Sequence, residues 1–143
     1  MGKVYSETKS NPCMAKIVVR DQETRQKSKV PGRVRVFLVG KNICDSEFLK
    51  ADTVTYEPNA SVGEHYHHCE SFIYVLQGEC EVTINGTPHH VWEHTMVYLA
   101  PGDRHFVKNT GKSEMVMLEA FAPQSRSESV WSNPNEEHGW VTV

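Results

Sequence analysis

His65 and His67 stand two residues apart in the stretch Gly63-Glu-His-Tyr-His-His-Cys-Glu-Ser-Phe-Ile-Tyr-Val-Leu-Gln-Gly78. In an extended chain alternate side chains share a face, so both imidazoles point into one space. Two converging imidazoles suit the borderline divalent metals, Zn, Fe, Ni and Cu. His105 follows the turn pair Pro101-Gly102 and opens another apolar run, a placement suited to a third ligand from a different strand. Glu70 is a candidate catalytic group with three readings: turned toward the histidines by a bulge, orienting a ligand imidazole from behind, or solvated in a turn. Arg104, beside His105, is a candidate clamp for a substrate carboxylate or a charge on the rim. His68 is expected to face away from His67, and His89 and His90 to lie exposed in a loop. Cys69 has no neighbour that argues for a lowered thiol pKa.

The elements that must hold these residues are strands. Arg33–Val39, Asp52–Tyr56, Phe72–Leu76, Cys80–Ile84, Met96–Leu99, His105–Val107 and Met115–Phe121 are rich in β-branched and aromatic residues. Asn85-Gly86 is the favoured pair for a tight hairpin turn, in which both central residues reach positive φ. Gln77-Gly78, Pro101-Gly102 and Thr110-Gly111 mark further turns. Seven short strands at regular spacing predict an all-β sandwich or small barrel over 33–122, with an arm or edge element over 1–32. Only Cys44–Ala51 has the composition of a short helix. The polar tail 123–143 holds Trp131 and Trp140, which are costly to leave in water, so it is expected to pack on the barrel or on a partner subunit. The alternating Ile73, Val75, Val82, Ile84, Val97, Leu99, Val107 and Met117 predict the core and a largely apolar cavity.

The chain has 143 residues, enough for one domain with a real core, and a formal net charge of −3. Its charges are mixed along the chain, which gives no argument for nucleic acid or an anionic membrane surface as partner. No apolar run has the length of a membrane span, and the polar start lacks a signal-peptide core, so a cytoplasmic protein is expected. The four cysteines show neither CxxC spacing nor a dense disulfide pattern and are read as reduced thiols. Five of the eight histidines fall between positions 65 and 90.

Across roughly positions 50 to 121 the chain resembles the cupin superfamily. His65, His67 and Gly78 fit its first motif, Gly102, His105 and Asn109 its second. The resemblance implies a double-stranded β-helix (cupin) barrel, jelly-roll-like, binding a metal inside through His65, His67 and His105. Three departures stand out. Counting back from Gly78, the family's ligand glutamate falls on Ser71, with Glu70 one residue early, and a one-residue slip on a strand reverses the face. His94 replaces the first glycine of the second motif, which makes it an outside candidate for a fourth ligand. Ala100 replaces that motif's proline.

Three neutral imidazoles without a carboxylate would leave the full charge of a divalent ion, favouring an anionic or enolisable small-molecule substrate that itself coordinates. Three-histidine cupins that are similar in ligand set include dioxygenases of diketones and thiols, and small cupins that cyclise polyketides are similar in size. The reading this implies first is a non-haem Fe2+ dioxygenase, with Zn2+, Ni2+ or Mn2+ as alternative metals. A non-redox cyclase, isomerase or lyase comes second. A barrel that holds a small ligand without turnover is the alternative from another class. Cupin barrels commonly pair through their outer sheet, so a homodimer is expected.

Overall fold

A computed structural model describes residues 15–40 and 43–143. Residues 1–14 of the expected N-terminal arm, with Cys13, lie outside the described residues. In chain order the strands are β1 (Arg25–Ser28), β2 (Arg33–Val39), β3 (Lys50–Tyr56), β4 (His65–Tyr66), β5 (Glu70–Gln77) and β6 (Glu79–Ile84). They continue with β7 (Thr87–Trp92), β8 (Met96–Leu99), β9 (His105–Lys108), β10 (Met115–Ala122), β11 (Val130–Trp131) and β12 (Trp140–Thr142). All seven runs expected as strands are strands. They build two antiparallel sheets, one ordered β12-β1-β2-β3-β10-β5-β8 and one ordered β11-β4-β9-β6-β7. The result is the expected all-β, double-stranded β-helix architecture. Among the described residues no helix is long and apolar enough to cross a membrane.

The core lies between the sheets, with Val54, Tyr56, Ile73, Val75, Met115 and Met117 from one meeting Cys80, Val82, Val91 and Val107 from the other. Strand parity explains the set: on β5 Ser71, Ile73 and Val75 are buried while the residues between them are not. β3 is covered on both faces, since Asp52, Thr53 and Val54 are all buried. Its outer face is sealed by Arg20, whose Nε and one Nη donate to the hydroxyls of Thr53 and Thr55 at 2.9 and 3.2 Å. Cys44, Cys69 and Cys80 are free thiols.

Two elements differ from expectation. Cys44–Ala51 forms bends that enter β3 at Lys50 instead of a helix. There Ser46 closes a local turn, its hydroxyl donating to the Leu49 carbonyl and accepting from the Leu49 amide. Such side-chain bonds offer the backbone an alternative to a helical turn, and a helix this short cannot offset its nucleation cost. His89 and His90 are exposed, but on strand β7 and not in a loop. Asn85 (φ 48°) and Gly86 (φ 86°) form the tight turn and fix the register from Ile84 opposite Thr87 to Glu79 opposite Trp92. A pairing dictated by the turn overrides the weak strand propensity of Pro88, His89 and His90.

The tail joins both sheets. β11 pairs with β4, setting Trp131 opposite His65, and β12 pairs with β1, setting Trp140 opposite Ser28.

Candidate metal centre

His65 and His105 are direct cross-strand partners on β4 and β9, and His67 follows two residues after His65 on the same face. The three ring centroids lie 4.4 to 5.3 Å apart, and one ligand atom from each ring falls within 4.8 Å of the other two. All three are buried.

Main-chain carbonyls fix the tautomers. Nδ1 of His65 lies 2.8 Å from the Gly63 carbonyl, Nδ1 of His67 2.9 Å from that of Ser127, and Nδ1 of His105 2.9 Å from that of Asp103. A carbonyl only accepts, so each Nδ1 carries the proton and each Nε2 keeps its lone pair for the shared space. Burial holds all three imidazoles below the ordinary histidine range, most strongly His65, and for His65 and His67 the neighbouring His105 adds to it. Neutral, pre-oriented imidazoles of this kind fit a borderline divalent ion.

The turn before His105 is braced from the β6–β7 hairpin. Asn85 donates through Nδ2 to the Asp103 carboxylate at 3.1 Å and accepts the Arg104 amide at 3.0 Å. The Gly102 amide (φ 87°) donates to the His67 carbonyl at 2.9 Å. One asparagine thus makes the hairpin turn and clamps the segment that presents a ligand. Buried Asn109 acts similarly one strand on, donating to the carbonyls of Tyr56 and Ser113 and accepting from the Gly111 amide.

The other candidates lie elsewhere. Glu70 is exposed on the outer face of β5, where its carboxylate accepts the Tyr98 hydroxyl at 2.7 Å. No bulge turns it inward, and strand parity gives the inward place to Ser71, which is buried with its hydroxyl unpartnered. Arg104 is exposed, stacked over Tyr66 and donating to Ser132 at 2.9 Å, on an outer groove and not in the cavity. His94 sits outside with positive φ, near the Tyr74 hydroxyl, and His68 is exposed as expected.

The histidines face a cavity of about 80 Å³ whose opposite wall is charged, contrary to the apolar lining expected. Arg33 and Arg35 on β2, Lys50, Asp52 and Tyr56 on β3, and Glu119 on β10 line it, and Trp131, His138 and Trp140 of the tail cover it. Asp52 and Glu119 are cross-strand partners. Burial first, then the adjacent Glu119 carboxylate, pushes Asp52 well above the ordinary carboxylate range, against the pull of Arg35 and Lys50. Asp52 therefore favours its neutral, protonated form beside the Glu119 carboxylate. The signal was present in strand parity: on β3 Asp52 shares the face of Val54 and Tyr56, and on β10 Glu119 shares that of Met115, Met117 and Phe121.

A model of the cupin domain matches residues 52–121. A mannose-1-phosphate guanylyltransferase of Salmonella montevideo is 31% identical over 75 residues, which are 51% of this chain and 16% of that protein. The chain therefore spans a small part of the curated relatives it matches. Among solved structures, the polyketide cyclase RemF of Streptomyces resistomycificus superposes with a TM-score of 0.73 at 20% identity, covering 86% of this chain and 89% of that one. KdgF of a Halomonas species superposes with a TM-score of 0.69 at 18% identity, covering 78% and 96%. At these identities the structural likeness is one of fold.

Proposed function

The chain belongs to the cupin superfamily, residues 52–121 forming its cupin domain, and we propose that it is a metal-dependent enzyme that moves a proton on an enolisable small molecule without consuming oxygen. The observation that carries this is the pairing of two sets across one cavity: His65, His67 and His105 with Nε2 directed inward, and the carboxyl pair Asp52–Glu119 opposite. A divalent ion held by the three histidines would supply Lewis-acid stabilisation of charge developing on a substrate oxygen. The chain's own residues do the rest. Asp52, whose burial favours the neutral acid, can donate at one substrate atom, and Glu119 beside it can accept at another, the division of labour that paired carboxyls perform elsewhere. The fixed Nδ1–H bonds keep the imidazoles from turning, and Trp131, His138 and Trp140 keep bulk water from the cavity.

The sequence reading put an Fe2+ dioxygenase first. Cyclisation, isomerisation and elimination each move a proton, which the carboxyl groups opposite the histidines can carry, and this favours the non-redox alternative. The test is deuterium exchange into acetylacetone and related carbon acids by metal-loaded protein in D2O, followed by NMR, with an oxygen electrode alongside. The proposal expects exchange without oxygen uptake, reduced by roughly 10²-fold or more in Glu119→Gln. Oxygen uptake coupled to loss of the diketone would restore the dioxygenase, and neither exchange nor uptake would leave a ligand-binding barrel.

A further inference from the structure

Three buried polar atoms on residues that line the cavity have no hydrogen-bond partner of ordinary geometry: Arg33 Nε, Tyr56 Oη and Asp52 Oδ1. Their residues are 9%, 0% and 2% exposed, so water does not solvate them freely, and an unmet polar group at that depth costs about 1–3 kcal/mol. Buried donors and acceptors with no protein partner are rare in a folded chain, and three on neighbouring residues give this part of the cavity a polar, hydrogen-bonding character. Arg33 is held in an unusual way. Its guanidinium lies 5.0 Å from the Tyr56 ring and 4.8 Å from the Trp140 ring, and one Nη donates to the Ser28 hydroxyl at 3.1 Å. Aromatic packing takes up the faces of the guanidinium and leaves hydrogen-bonding capacity at its edge, the part that reads carboxylates. Arg35 differs: both its Nε and one Nη are already spent on Gln26 at 2.9 and 2.6 Å.

We infer that Arg33 and Tyr56 form a carboxylate subsite and that Asp52 meets a neighbouring hydroxyl, so the cavity takes a small hydroxy acid. Arg33 Nε and the Tyr56 phenol donate to the carboxylate, and Asp52 Oδ1 accepts from the hydroxyl. This rests on the reading of the cavity as the substrate site, but not on a metal being bound there. The surrounding charge agrees: the three cations Arg33, Arg35 and Lys50 outnumber the two carboxyl groups of Asp52 and Glu119 in the lining.

The full-length chain, tested both metal-loaded and chelator-treated, is titrated with lactate and with its neutral twin 1,2-propanediol by NMR. Lactate is expected to bind at least roughly tenfold tighter than the diol in both states, because a charge-assisted hydrogen bond is worth about that or more. Tyr56→Phe and Arg33→Lys should each weaken lactate roughly tenfold or more. Tyr56→Phe, which deletes only an unpartnered hydroxyl, should leave the melting temperature unchanged or higher, so lost binding cannot be ascribed to lost folding. Equal binding of diol and lactate would overturn the subsite, as would unchanged lactate affinity in Tyr56→Phe. Lactate binding that disappears on chelation would put the carboxylate at the histidines and overturn it too. Absence of metal uptake would count against the proposed function while leaving the lactate result intact.

Discussion

Asp52→Asn isolates the carboxyl pair by stability alone. Asp52 is buried among Glu119 on β10, Arg35 on β2 and Lys50 on its own strand. Burial and Glu119 raise its pKa, while the two cations work against them. Because the folded chain holds this proton more tightly than the unfolded chain, the direction of the pH effect is set. Below the ordinary value of 3.8 both states carry the proton, and Asn, which offers an N–H to Glu119 in place of O–H, should match wild type within about 1 kcal/mol. As pH rises above 3.8 the unfolded chain releases the proton first, and the wild type loses stability relative to Asp52→Asn by up to about 1.4 kcal/mol per pH unit. The loss ends once pH passes the elevated folded value. Urea denaturation of both chains from pH 4 to 8, with chelator present, measures the difference directly, and effects common to both, such as the histidines, cancel. In a Glu119→Gln background the window should narrow, since the second-largest cause of the shift is gone. A difference that stays flat, or one in which wild type gains on the variant as pH rises, would mean that Arg35 and Lys50 outweigh burial and that Asp52 is an ordinary ion-paired carboxylate.

Asn85→Ala should lower Zn2+ affinity by about tenfold in calorimetric titration, because it removes the two bonds that brace the turn before His105. Gly78→Ala should destabilise the fold by roughly 2 kcal/mol or more in chemical denaturation: φ is 81°, and a Cβ there would meet the Glu114 carbonyl oxygen at 2.8 Å. Metal-free protein should lose stability as pH falls below about 6.5, since three histidines held below the ordinary range must take up protons. Denaturation midpoints at pH 5 and 7 check this, and an equal midpoint would contradict the burial of neutral imidazoles.

The sequence made the sheets and the histidines legible because both depend on a period of two. Turns at Asn85-Gly86 and Pro101-Gly102 set the registers, and parity then sends His65, His67 and His105 one way and Glu70 the other. The charged wall was harder to see. In Arg33–Val39 the alternation suggests valines inward, yet Arg33 and Val36, on opposite faces, are both buried. Both faces of this part of the sheet are covered, one by the cavity and tail and the other by the segment around Arg20, so the apolar side no longer identifies the interior. Trp131 and Trp140 announced that the tail packs somewhere. Which strand each would join depends on β4 and β1, two elements with little strand signal of their own.

The central claim is that three histidines hold a metal without a carboxylate. Metal content by mass spectrometry, together with X-ray absorption at the metal edge, tests it most directly on wild type, His65→Ala, His105→Ala and Glu70→Gln. One divalent ion per chain with three imidazole nitrogens is expected in wild type and in Glu70→Gln, and loss of that ion in either histidine variant. Metal lost from Glu70→Gln, or retained in full by His65→Ala and His105→Ala, would contradict the account.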